Sequence, residues 1–143
     1  MLEREAFIGE LWKRLSEVTG VNFTARNPKE PPAVENLPSL TFFELADVIL
    51  EKRMRGNKPQ YKRNLSLVIE AFVDGSTESL AVQELAAFVI LMKQKLFEDG
   101  SNMGRTCSEI TETETSRILR PETGGNVAGI GLAFDVLYIE TIT

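Results

Sequence analysis

The chain has 143 residues, 43% hydrophobic and 26% charged, which suits one folded domain over residues 1–143 and is too apolar for a disordered segment. It has no histidine and one cysteine, Cys107, which excludes a Ser-His-Asp triad, a Cys-His dyad, a histidine-ligated metal and an intrachain disulfide. The net charge of −5 argues against a nucleic-acid footprint over the whole surface and leaves room for a local basic patch.

Residues 2–19 predict an amphipathic helix, with Ile8, Leu11, Trp12, Leu15 and Val18 on one stripe. Glu3, Arg4, Glu10, Lys13, Arg14 and Glu17 take the other side, and Gly20 stops the helix. The opening segment is charged from Glu3 onward and does not read as a signal peptide. Residues 24–38 hold Pro28, Pro31, Pro32 and Pro38 and predict a connector without helix interior or central strand. Leu40 to Leu45 predicts an aromatic-rich strand continuing through Val48 to Leu50, followed by a polar hairpin tip over 51–63 with Gly56-Asn57 at its turn.

Residues 61–73 alternate cleanly, with Leu65, Leu67, Ile69, Ala71 and Val73 on the apolar side of a central strand. Residues 77–98 predict a second helix capped by Ser76 or Thr77. Its stripe of Val82, Leu85, Ala86, Val89, Met92 and Leu96 is widened almost to the full circumference by Ala87, Phe88, Ile90 and Leu91. Such a helix needs cover on both sides, from the sheet and from helix 1 or a neighbouring subunit. Its longest apolar run, Leu85 to Met92, is far too short to span a bilayer, so the expectation is a soluble protein from a reducing compartment, with no membrane partner. Residues 106–119 predict a partly exposed strand with Ile110, Glu112 and Glu114 on one face and Glu109 on the other, then a turn at 123–126. The last strand, 128–140, alternates Ile130, Leu132, Phe134, Val136 and Tyr138 with Gly129, Gly131, Ala133, Asp135, Leu137 and Ile139. The order α-β-β-α-β-β predicts an α+β fold, a mainly antiparallel sheet with both helices on one face.

Three groups of residues invite a chemical reading. The tip holds Lys52, Arg53, Arg55, Lys58, Lys62 and Arg63 against Glu51 alone, a charge of +5 that leaves −10 for the rest. It reads as a solvated hairpin with charges that discourage edge aggregation, as a contact for an acidic partner or neighbouring subunit, or as a small nucleic-acid-binding element with only Tyr61 to stack. Glu112 and Glu114, with Asp135 or Glu140 across from them, resemble a carboxylate pair for acid/base work or Mg²⁺, but no metal loop accompanies them. Gly124, Gly125, Gly129 and Gly131 lead into a strand instead of opening a helix, so they mark a turn, a bulge or a close approach and do not form a phosphate cradle. No catalytic residue, metal site or cofactor is expected.

The order of segments nonetheless carries a resemblance. Val18-Thr19-Gly20-Val21 closes the first helix, and Leu37-Pro38-Ser39-Leu40 enters the first strand. Leu65-Ser66-Leu67-Val68-Ile69-Glu70-Ala71 follows the tip, Glu112-Thr113-Glu114 follows the long helix, and the last strand runs from Val127 to Tyr138. From about Leu2 to Ile139 the chain resembles the tail terminator proteins of tailed bacteriophages, the minor-tail-protein-U-like family. The resemblance implies a non-enzymatic subunit of a hexameric ring at the head-proximal end of the tail, assembled in the bacterial host cytoplasm. Such a ring caps the tail tube, stops its polymerisation and offers a surface to a head-completion or connector protein. Such subunits can stay monomeric until they meet the tube. A head–tail joining connector is the nearest alternative. On this reading the basic tip meets a neighbouring subunit or the tube. Glu109, Glu112 and Glu114 line a pore or tube-facing rim past which DNA moves without specific binding.

Overall fold

Apolar stripes two residues apart in a strand, and three or four apart in a helix, must be covered, and here they cover each other. The computed structural model describes residues 3–119 and 125–142. Helix α1 spans Glu3–Ser16 and α2 spans Ala81–Leu96. Strands β1 (Phe23–Arg26), β2 (Ser39–Arg55), β3 (Lys58–Asp74), β4 (Glu109–Thr115) and β5 (Val127–Thr141) form one sheet in the order β1-β2-β3-β5-β4. Every pairing is antiparallel except that of β1 with β2. The fold is α+β, with the expected order and one added strand. That strand, β1, lies in the stretch read as connector. The prolines begin only at Pro28, so Phe23–Arg26 keep the backbone N–H groups that a ladder with Ser39–Phe42 requires.

The core lies between the helices and one sheet face. Leu65, Leu67, Ile69, Ala71 and Val73 of β3 meet Leu132, Phe134, Val136 and Tyr138 of β5 there, under Phe7, Ile8, Leu11 and Leu15 of α1. Trp12, expected in that stripe, sits at its margin, 39% exposed, with its ring edge toward Phe42 and Nε1 donating to Thr24 Oγ1. Arg14, expected on the solvent side, is buried. In α2 the buried stripe is Ala81, Leu85, Phe88, Met92 and Leu96, while Val82 and Ala86, expected inside, are exposed. A helix that is apolar nearly all round does not mark its own inner face. The large Phe88 ring takes the core, and the Val82–Ala86–Ile90 side turns out. The helix also starts at Ala81, after a turn in which Thr77 Oγ1 accepts from the Leu80 N–H and the Glu84 carboxylate accepts from the Ser76 N–H.

The connector, with a 3-10 turn at Val34–Asn36, crosses the helix-free face, where Leu37, Phe72 and Val127 form a second small cluster. Gly129 allows this: a Cβ there would stand 2.3 Å from the Phe72 ring. This is the close approach expected of the late glycines. Thr123 and Gly124 of the expected turn lie outside the described residues.

Candidate assembly surface

Past its pairing with β1, β2 continues as the edge of a three-stranded ribbon with β3 and β5, and β5 follows β3 as far as Gln60 opposite Thr141, so only the turn end of the β2–β3 hairpin projects further. Arg55 pairs with Lys58 across a two-residue turn, and Gly56, at φ +64°, supplies the left-handed conformation that the first position of a primed hairpin turn needs. Residues 51–58 are all exposed. Register places Arg53 opposite Gln60, Arg55 opposite Lys58 and Glu51 opposite Lys62 on the ribbon face continuous with the helix-free side of the sheet. Lys52 lies opposite Tyr61 on the other face, its ammonium 6.0 Å from the ring centroid. The ribbon also exposes Leu45, Val48, Ile49, Leu50 and Met54.

The root of the ribbon is held by a charge network that the residue pattern did not announce. Arg4 donates to Glu44 and to Asp47, Arg26 donates to Glu44 and to Glu5, and Arg63 donates to Glu140 at 2.9 Å. Tyr138 donates its hydroxyl to Asp47 at 2.5 Å. Burial alone raises the Glu44 carboxyl, but the hydrogen bonds from Arg26 and Arg4 outweigh it and hold Glu44 below its ordinary range. Burial and the bond to Asp47 push the Tyr138 phenol up. Two register shifts interrupt β2 here, one between the network residues Glu44 and Asp47 and one between Ile49, opposite Arg63, and Glu51. Irregular pairing bends and twists a strand, so the network and the shifts together set the ribbon's direction. Of the six basic residues singled out, Arg63 is spent on this root, and Arg53 donates to Gln60. Lys52, Arg55, Lys58 and Lys62 form no ion pair among the described residues.

The three acidic residues do not form one row. Glu112 turns toward the helices and pairs with Lys93 of α2 at 2.7 Å. A register shift between Glu112 and Glu114 places Glu114 opposite Ala133 on the helix-free face. The expectation that Glu112 and Glu114 share a face is therefore corrected: the bulge adds a residue and reverses the alternation. Glu109, opposite Leu137, is exposed on the helix-free side with Glu114. Asp135 lies on that side as well and accepts from Ser66 Oγ. Glu140 belongs to the ribbon root and does not stand across from the β4 acids.

Two further features bear on chemistry. Cys107 is buried, which pushes its thiol up to about 11, away from the thiolate a nucleophile needs. Among the described residues no group of three or more Cys, Asp or Glu side chains is placed to hold a metal ion, and no helix is long and apolar enough to cross a membrane.

No family model matches the chain, and no curated protein matches it in sequence. In fold it is similar to a chain of the solved virion of a native gene transfer agent particle. The identity is 11%, the match covers 91% of each chain, and the TM-score is 0.50. At that identity the likeness concerns the fold.

Proposed function

We propose that this chain is a virion structural protein whose copies assemble into a ring at the head-proximal end of a phage-type tail, ending tube growth and presenting the surface for head joining. The carrying observation is the ribbon: an exposed, basic, partly apolar arm on a network-braced root. An arm of this kind gains nothing from folding alone, because its Leu45, Leu50 and Met54 side chains stay in water. It becomes useful when a second surface covers it. The outer side of α2, with Val82, Ile90 and Leu91 exposed, offers more uncovered apolar area on the same chain. Two distinct patches on one subunit are what a closed heterologous ring requires.

The likeness to a gene transfer agent virion chain supports a place among virion proteins. The resemblance to tail terminators supports the tail end, with the tube protein and a head-completion protein as partners and no catalytic step. A connector ring next to the tail end would use the same surfaces. Reversing Arg53 and Arg55 to Glu is expected to lengthen or deregulate tails seen by electron microscopy of particles carrying the variant. Unchanged tail lengths would count against the reading.

A further inference from the structure

The helix-free face holds a groove that the fold leaves half furnished. Pro28, Pro31 and Pro32 of the connector arch over it, and Thr41, Phe43, Glu70 and Phe72 floor a volume of about 240 Å³. Thr41 is 1% exposed, and its hydroxyl has no hydrogen-bond partner among the described residues. Glu70 stands directly across from Thr41 in the β2–β3 pairing, and it too forms no ion pair or hydrogen bond among them. Lys29 and Glu30 on the rim cancel in charge. The groove therefore offers apolar walls, an idle hydroxyl and an idle, partly dehydrated carboxylate. A long basic side chain matches all three, with an apolar stem for the prolines and rings and several donors for the oxygens.

The chain carries such side chains at its ribbon tip. Arg55 and Lys58 lie directly opposite each other, a like-charge pair that destabilises a hairpin unless something acidic receives it. The tip cannot reach its own groove. Glu70 lies twelve residue steps along β3 from Lys58, roughly 40 Å of extended chain. We propose that the ribbon tip of a second copy of this chain docks in the groove, with Arg55 and Lys58 donating to Glu70 and Thr41. Glu114 and Asp135, on the same face, extend the acidic field that would receive it. The inference rests on the self-assembly reading above and names the two surfaces that meet.

Sedimentation velocity of the full chain over a concentration series tests it. Glu70→Lys, and separately the double change Arg55→Glu with Lys58→Glu, should each weaken self-association about tenfold or more, the scale of a lost interfacial charge pair. Mixing the two reversed chains should restore assembly, because each ribbon then meets a groove of opposite sign. Glu70→Gln keeps the shape. It should weaken association while raising the thermal midpoint of the monomer at neutral pH, since burial alone holds the Glu70 carboxyl above its ordinary value. A residue with only a structural role would not move those two readouts in opposite directions. A wild-type chain that stays monomeric throughout, or a Glu70→Lys chain that assembles like wild type, overturns the inference. The ring reading itself falls only on the tail-length result.

Discussion

A guanidinium taken out of water keeps its charge only if its donors are used, and Arg14 uses them. It is 4% exposed and donates to Glu10 at 2.9 Å, to both Asp99 oxygens at 2.8 and 3.0 Å, and to the Leu96 carbonyl at 3.0 Å. It thereby fastens the end of α1 to the C-terminal carbonyls of α2, where positive charge is favoured. Arg14→Ala is expected to cost about 2–4 kcal/mol of folding stability, because the Leu96 carbonyl and the acids lose their donor together. Urea unfolding checks this, and a loss near zero would mean that water replaces the guanidinium without penalty.

At the scale of elements, the position of Gly129 in β5 controls how the connector lies on the helix-free face. The Phe72 ring occupies the space that a side chain at Gly129 would need. Gly129→Ala should therefore displace Phe72, loosen the Leu37–Phe72–Val127 cluster and cost about 1–3 kcal/mol, the usual range for overpacking. Hydrogen exchange should report the loosening in residues 34–37 and leave α1 protected. Uniform loss of protection across the chain would contradict this local account. The alternation of β3 and β5 was readable because each is covered on one face by helices, which a period of two records directly. In β4 a bulge leaves no mark in a run of Thr and Glu, so strict alternation places Glu114 on the wrong face. Apolar residues surround α2, so its periodicity does not single out the Ala81–Leu85–Phe88–Met92–Leu96 face.

For the whole molecule, pH acts through opposing groups. Glu5, Glu44 and Asp99 are held below their ordinary range. Hydrogen bonds from Arg26 lower Glu5. Arg26 and Arg4 overcome the burial of Glu44, and Arg14 lowers Asp99. A depressed carboxyl stabilises the fold above its unfolded pKa, about 4.3 for Glu and 3.9 for Asp, and that contribution disappears as pH falls through the folded value. Glu70 has the reverse sign: its raised pKa costs stability above the folded value and nothing well below the unfolded one. Glu84, held down by hydrogen bonds from Ser76, makes four depressed carboxyls against one raised, so the thermal midpoint should fall as pH drops below about 5. Arg26→Gln, which removes the partner of Glu5 and one of the two arginine partners of Glu44, should flatten that fall. Parallel curves for the two proteins would assign acid sensitivity elsewhere.

By itself the sequence determined the class of fold, the alternating faces of β3 and β5, the basic tip and the exclusion of histidine chemistry. Each of these is written locally, in a two-residue or helical period or in a count. Only the tertiary structure decided that Arg14 is buried and that Arg63 belongs to the root of the ribbon. It also put Glu112 and Glu114 on opposite faces and brought Thr41 and Glu70 together under the prolines, with no hydrogen-bond partner among the described residues. Those facts depend on which residues distant in the chain come to lie side by side, and a period along one strand carries no record of its neighbour.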